Sequence, residues 1–313
     1  MLAYIIRRLI ATIPVMGVVA LFVFSLLYLA PGDPAAIIAG DLATADDIAR
    51  IHRQLGLDEP FLLRFFSWLW GVLQGDLGIS IFTNLPVAKL IGQRLEPTIA
   101  LTLTTLVATL AFAIPLGVVA AWKAGTAIDR AVMLLAVAGF SIPSFVLAYI
   151  LILVFSVQLD LLPVQGYVSI TGGFWPFLSH IILPSAALGM IYAALIARIT
   201  RASMLDVLAQ DYIRTAQAKG LSNEQVLIGH ALKNAAVPIV TIIGIGVALL
   251  IGGVVVTETV FAIPGLGRLT VDAILRRDYP IIQGIILIFS AAYVLINLLV
   301  DLSYTLIDPR IRY

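Results

Sequence analysis

"AAVPIVTIIGIGVALLIGGVVV", residues Ala235 to Val256, is 22 residues long and carries no charge. A helix rises about 1.5 Å per residue, so such a run spans roughly 33 Å, enough to cross a hydrocarbon core of about 30 Å. Working outward along the chain, five more uncharged apolar runs approach or exceed that length. They are Leu9–Ala30, Ile99–Trp122, Ala131–Val157, Ile181–Ala197 and Ile281–Val300. Backbone groups find no water in lipid, so each run is expected to be a helix. Pro115 and Pro143 lie deep within their runs and are expected to kink them, whereas Pro184 and Pro238 lie nearer an end.

The composition agrees. Of 313 residues, 61% are hydrophobic and 12% charged, with a mean hydropathy of +1.07, against about 25% charged in ordinary soluble domains. The chain therefore reads as an all-α polytopic membrane protein with six transmembrane helices. Its net charge of +1 gives no basis for nucleic-acid binding, and the absence of cysteine excludes disulfides and thiolate chemistry. The first run, preceded by Arg7 and Arg8, is longer than the roughly 7–15-residue core of a signal peptide and is expected to stay as a membrane helix.

Lys and Arg set the orientation. With the amino terminus inside, the cytoplasmic segments hold 11 of them: Arg7, Arg8, Lys123, Arg130, Arg198, Arg201, Arg214, Lys219, Lys233, Arg310 and Arg312. The two short outer loops hold only Arg268, Arg276 and Arg277. Both termini are expected in the cytoplasm. The organisation that follows is a first helix over 1–30, an external extension over 31–98, a five-helix core over 99–306 and a cytoplasmic tail over 307–313. The extension carries Phe65, Phe66, Trp68 and Trp70, aromatics suited to a helix lying at the membrane interface.

Next to the opening run, the cytoplasmic segment 198–234 contains "DYIRTAQAKGLSNEQ", Asp211–Gln225, polar among apolar neighbours. Leu205, Leu208, Ala209, Tyr212 and Ala216 fall on one helical stripe. Gly220 supplies the left-handed residue that ends many helices. Ser222 and Gln225 then form an S-x-x-Q capping box, with Leu221 and Val226 as its hydrophobic staple. The pattern specifies helix, stop, new helix. It fits either a connector resting on the bundle or a rigid knob offered to a cytoplasmic partner, and the pattern alone leaves both open.

The stretch resembles the coupling motif of ATP-binding-cassette importer permeases, E-A-A-x-x-x-G. Arg214, Thr215 and Ala216 stand at Glu-Ala-Ala, and Gly220 at the glycine. These departures, and "HALKNA" at His230–Ala235, are similar to the dipeptide/oligopeptide/nickel branch, which includes the glutathione systems. The resemblance continues through "PGDPA" (Pro31–Ala35), "LGLDEP" (Leu55–Pro60), "GDLGIS" (Gly75–Ser80), "IPLGVVAA" (Ile114–Ala121) and "SIPSF" (Ser141–Phe145). It extends to "LPVQGY" (Leu162–Tyr167), "ETVFAIPGLGRL" (Glu258–Leu269), "RRDYP" (Arg276–Pro280) and "DPRIRY" (Asp308–Tyr313).

The resemblance implies a transport subunit, not an enzyme, that imports peptides or peptide-like solutes, with glutathione or nickel chelates as alternative cargo. It implies a second homologous permease, two ATP-binding-cassette ATPase subunits and a periplasmic solute-binding protein, in the bacterial inner membrane. The chain itself contains no G-x-x-x-x-G-K-[ST] phosphate loop, so ATP and Mg belong on the partner ATPases, and no cofactor or metal site is expected here. Asp211, Tyr212, Arg214, Thr215, Ala216, Lys219 and Gly220 are the expected ATPase-coupling residues.

Glu258, Pro264, Gly265 and Gly267, with Arg276 and Asp278, are candidates for an outer gate or a binding-protein contact. For the "ETVFAIPGLGRL" stretch a plain turn and a re-entrant loop remain open. Gly244, Gly246, Gly252 and Gly253 allow close helix packing or could line the pathway. A gradient-driven carrier, passive channel or assembly factor is the alternative. Carriers usually hold ionisable groups at membrane depth, and none lies inside the six runs, Glu258 and Asp301 falling just beyond two of them.

Overall fold

A computed structural model describes residues 2–29, 33–39, 43–54 and 56–307. The motif segments at Pro31–Gly32 and Leu55, and the expected tail from Asp308, lie outside these. Among the described residues the chain is helical, with one isolated antiparallel bridge between Ile79 and Pro86. Six elements are long: α1 (Leu2–Leu29), α5 (Val87–Trp122), α8 (Phe174–Leu208), α10 (Gln225–Val260), α12 (Tyr279–Ile307) and the bent pair α6 (Ala127–Ser141) with α7 (Ser144–Gln158). Shorter helices are α2 (Pro34–Ala39), α3 (Ala45–Gln54), α4 (Phe61–Leu73), α9 (Asp211–Ala218) and α11 (Leu266–Arg276).

The third expected span is not one helix. α6 and α7 meet at a bend of 104°. Pro143 has no N–H to continue the ladder, and its ring drives the preceding residue out of the helical region. Ile142 is accordingly extended, at φ −91° and ψ 122°. Pro115, by contrast, sits inside an unbroken α5, and α1 carries Pro14 within it. Several helices also outrun their apolar stretches. α5 starts at Val87 rather than near Ile99, and α10 continues to Val260.

The contacts divide into two compact units, one running up to Leu95 with Leu269–Val294, the other holding Glu96–Arg268 with residues from Leu295. In the first, α4 turns Phe65 inward with Phe61 and Trp68, and these rings pack around Phe24 of α1 at 5.3–5.5 Å between centroids. Upstream, α3 opens on a local cap: the Thr44 hydroxyl donates to Asp47 at 2.7 Å and accepts from its N–H. At the start of α12, buried Asp278 accepts from the Ser80 hydroxyl at 2.6 Å and from the Ile81 amide.

In the second unit α8 is the centre, packed on α6, α7 and α10, with 61% of its most hydrophobic stretch buried. Leu101, Ile181, Leu188, Leu250, Phe261 and Ile263 form its main core. Small residues set the helix spacing there. A side chain at Gly253 would meet Leu188 at 2.7 Å, one at Gly244 would meet Val300 at 2.5 Å, and one at Gly117 would meet Thr200 at 2.6 Å. Gly246 faces Tyr192, whereas Gly252 has open space around it. Three of the four fifth-run glycines therefore serve packing.

Candidate coupling surface and the outer turn

α8 does not run on through the amphipathic stripe. It ends at Leu208, the chain turns through Ala209 and Gln210, and α9 starts afresh at Asp211. The turn resets the helical phase. Ile213 and Ala216 are the buried residues of α9, and Tyr212, which shares the sequence stripe with Ala216, is 44% exposed. Ile213 and Ala216 join Met204, Val226, Leu227, Ala231 and Ala235 in a closed apolar cluster with Ala121 of α5. The short helix is thus seated on its own core by two side chains.

Everything else on α9 faces outward: Asp211, Tyr212, Arg214, Thr215, Gln217 and Ala218, followed by Lys219 and Gly220. Arg214 reaches Asp211 at 3.5 Å, both largely solvated, and such a pair contributes little to stability. It leaves the cation available to a partner. Lys219 is in no ion pair among the described residues. Of the expected coupling residues, Ala216 alone is internal. Gly220 has φ +84°, the left-handed stop expected of it. The capping box forms in both directions: Gln225 N–H to Ser222 Oγ at 3.3 Å and Ser222 N–H to Gln225 Oε1 at 3.0 Å. Val226 is buried and Leu221 packs on the same cluster.

One ion pair braces the frame from which α9 hangs, and sequence reading missed it. Arg201 of α8 grips Asp129 of α6 with two parallel bonds, Nε to Oδ1 at 2.5 Å and Nη2 to Oδ2 at 2.7 Å. Asp129 is buried, and its Oδ2 also accepts from the Gly125 amide at 2.9 Å. This fork fixes geometry as well as charge. The partners lie 72 positions apart, beyond any local pattern.

The candidates for an outer gate resolve into a tight turn. α10 ends past Glu258, whose side chain is fully buried. Its Oε1 accepts from the Thr98 hydroxyl at 2.5 Å and its Oε2 from the Arg268 amide at 3.0 Å. Thr98 in turn accepts from the Leu266 amide at 2.8 Å. The first N–H groups of α11 are therefore capped by side chains from α10 and α5, in the manner of a remote N-cap favoured by the helix dipole. Gly265 and Gly267 make room: a Cβ on either would run into the Glu258 carboxylate, and one on Gly267 also into the Val255 backbone. Pro264 lies in the turn between the two helices.

The expectation that no ionisable group lies within the spans needs correcting. Glu258 belongs to α10 and Asp301 to α12, because both helices continue beyond their apolar runs. Glu258, however, is bound on both oxygens by local donors. Of the remaining outer candidates, Arg276 is exposed, and Asp278 is 2% exposed and turned inward to Ser80 and Ile81.

An apolar bundle of long helices, with a braced polar knob between two of them, is the architecture of a membrane-embedded transport subunit. Residues 113–313 match the family described as binding-protein-dependent transport system inner membrane component, and residues 1–102 match its N-terminal companion family. The chain is 56% identical over 310 residues, 99% of each chain, to a probable peptide ABC transporter permease protein, y4tP, of Sinorhizobium fredii. It is 46% identical over 313 residues, all of both chains, to the glutathione transport system permease protein GsiC of Escherichia coli. A putative peptide transport system permease of Brucella abortus matches equally. The inward-facing MetNI methionine ABC transporter shares the fold, with a TM-score of 0.58 at 19% identity over 70% of this chain and 96% of that one. The chain belongs to the inner-membrane components of binding-protein-dependent transport systems. It is a multi-pass permease subunit of an ABC importer in the inner membrane.

Proposed function

We propose that this permease imports peptides or peptide-like solutes, glutathione among them, and that α9 is the piece that takes up the force of ATP hydrolysis. The cargo reading rests on its relatives, named for peptide and glutathione transport. The coupling reading rests on one observation. α9 is held from within by Ile213 and Ala216 and locked by Gly220 and the Ser222–Gln225 box, while its polar side chains, Arg214 and Lys219 among them, all face outward.

Two cytoplasmic ATPases bind ATP and Mg, and one of them receives α9 in a groove, helix against groove being a recurring mode of recognition. Arg214 and Lys219 pair with carboxylates there. A second, homologous permease completes the pathway, and a periplasmic binding protein delivers the solute. The chain carries no ATPase chemistry of its own. Co-expression with the neighbouring transport genes supplies the test, using the intact chain and a form whose Asp211–Gly220 is a flexible Gly/Ser linker. Recovery of an ATPase with the intact chain and its loss with the linker supports the coupling reading. Equal recovery with both would sink it.

A further inference from the structure

The first unit holds a cavity of about 610 Å³, walled in part by the Phe24–Trp68 cluster and by Ser80 and Ile81. α1 contributes Phe24 to its wall, α3 Arg53, α4 Arg64 and Trp68, and the following loop Asp76. Arg64 is held in place by its surroundings. Its Cζ lies 5.3 Å from the ring centres of both Phe24 and Tyr28, and Nη1 donates to the Tyr28 hydroxyl at 2.7 Å. Among the described residues Arg53 spends only its Nε, on the Ala49 carbonyl at 3.3 Å. Neither guanidinium is in an ion pair among the described residues. Asp76 accepts from the Gly78 amide through Oδ1 at 2.9 Å, and among the described residues its second oxygen accepts no hydrogen bond.

Depth narrows the ligand. α4 packs on α1 at Phe24 and Tyr28, within the last two turns of that span, at the level where aromatic and basic side chains meet headgroups. The far face of α4 presents Leu62, Phe66, Trp70 and Leu73, each more than 60% exposed. Two guanidiniums, neither in an ion pair among the described residues, and one carboxylate line a pocket on a helix that also carries an apolar stripe. The complement is a phosphodiester carrying an ammonium group, with hydrocarbon attached.

We infer that this cavity binds the headgroup of a phosphatidylethanolamine molecule. Its phosphate lies on Arg53 and Arg64, its ammonium at Asp76, and its acyl chains run along the Leu62–Leu73 face of α4. The intact transporter, delipidated in detergent, would be titrated with dioleoyl phosphatidylethanolamine, dioleoyl phosphatidylglycerol or dialanine, and bound species counted by native mass spectrometry. The ethanolamine lipid is expected to bind best. Arg53→Gln, which leaves the Arg64–Tyr28 contact alone, weakens it about tenfold, the scale of one lost charge-assisted contact. Asp76→Asn abolishes the preference over the glycerol lipid while leaving both able to bind. Size-exclusion profiles of the assembled complex control for folding. Unchanged binding in Arg53→Gln overturns the proposal, as does equal affinity for the two lipids. Binding of dialanine but not lipid overturns it too, and marks the cavity as a cargo site.

Discussion

A carboxylate enclosed at the end of an apolar helix is costly unless its oxygens are bonded. Glu258 meets that condition through Thr98 and Arg268, and Gly265 and Gly267 leave the space it needs. Glu258→Ala takes an acceptor from the Thr98 hydroxyl and the acceptor from the Arg268 amide, and the bare amide alone costs about 1–3 kcal/mol. Thermal unfolding of the purified transporter is expected several degrees lower, with Glu258→Gln in between. Gly265→Ala is destabilising for a different reason, since its methyl collides with the carboxylate. Combined with Glu258→Ala it becomes better tolerated, because the obstacle is gone. Simple additivity in that double-mutant cycle would show that the two residues do not share the space. At Gly220 the constraint is backbone alone. Nothing lies within 4 Å of a Cβ there, yet φ is +84°, so Gly220→Ala costs about 1 kcal/mol through the left-handed conformation.

Elements show which features were legible from sequence and which were not. The capping box and glycine stop around residue 220 rest on neighbours within a few positions, so the letters alone carry them. The stripe through Tyr212 is not one continuous helix, since nothing in its periodicity marks the turn at Ala209–Gln210, after which Ile213 and Ala216 face inward. Helix ends were misplaced wherever the helix outlasts its apolar run, which hid Glu258 inside α10. The bend at Pro143 was only half legible, since proline predicts a kink but not a 104° change of direction. The Asp129–Arg201 fork was illegible, as it exists only once α6 and α8 pack. Its importance is nevertheless testable. Arg201→Ala strands a buried carboxylate, and about 3 kcal/mol is expected to be lost. Arg201→Lys keeps the charge but not the fork and is expected to recover less than half of that. Full recovery by lysine, read as the same unfolding temperature, would reduce the fork to simple charge neutralisation.

Across the whole molecule the fold was readable because the bilayer imposes one demand on every span, an apolar helix of sufficient length, and composition answers it directly. The coupling reading has no such compositional signature and rests on a short motif instead. The proposed coupling role asks for a surface that is stiff within and polar without, one that another subunit would complete. Stability and function should therefore separate at α9. Arg214→Glu and Lys219→Glu change only exposed side chains, one in a weak solvated pair and one in no ion pair among the described residues, so folding is expected to shift by no more than about 0.5 kcal/mol. Uptake by the reconstituted transporter in vesicles should fall by an order of magnitude or more, because each reversal sets two negative charges together at the proposed ATPase groove. Ile213→Asp makes the opposite disturbance, placing a charge in the closed cluster under the knob, and should lower unfolding temperature and uptake together. If the two exposed reversals left uptake intact while Ile213→Asp abolished it, α9 would act through its seat alone. Its outward charges would then have no part in the transmission.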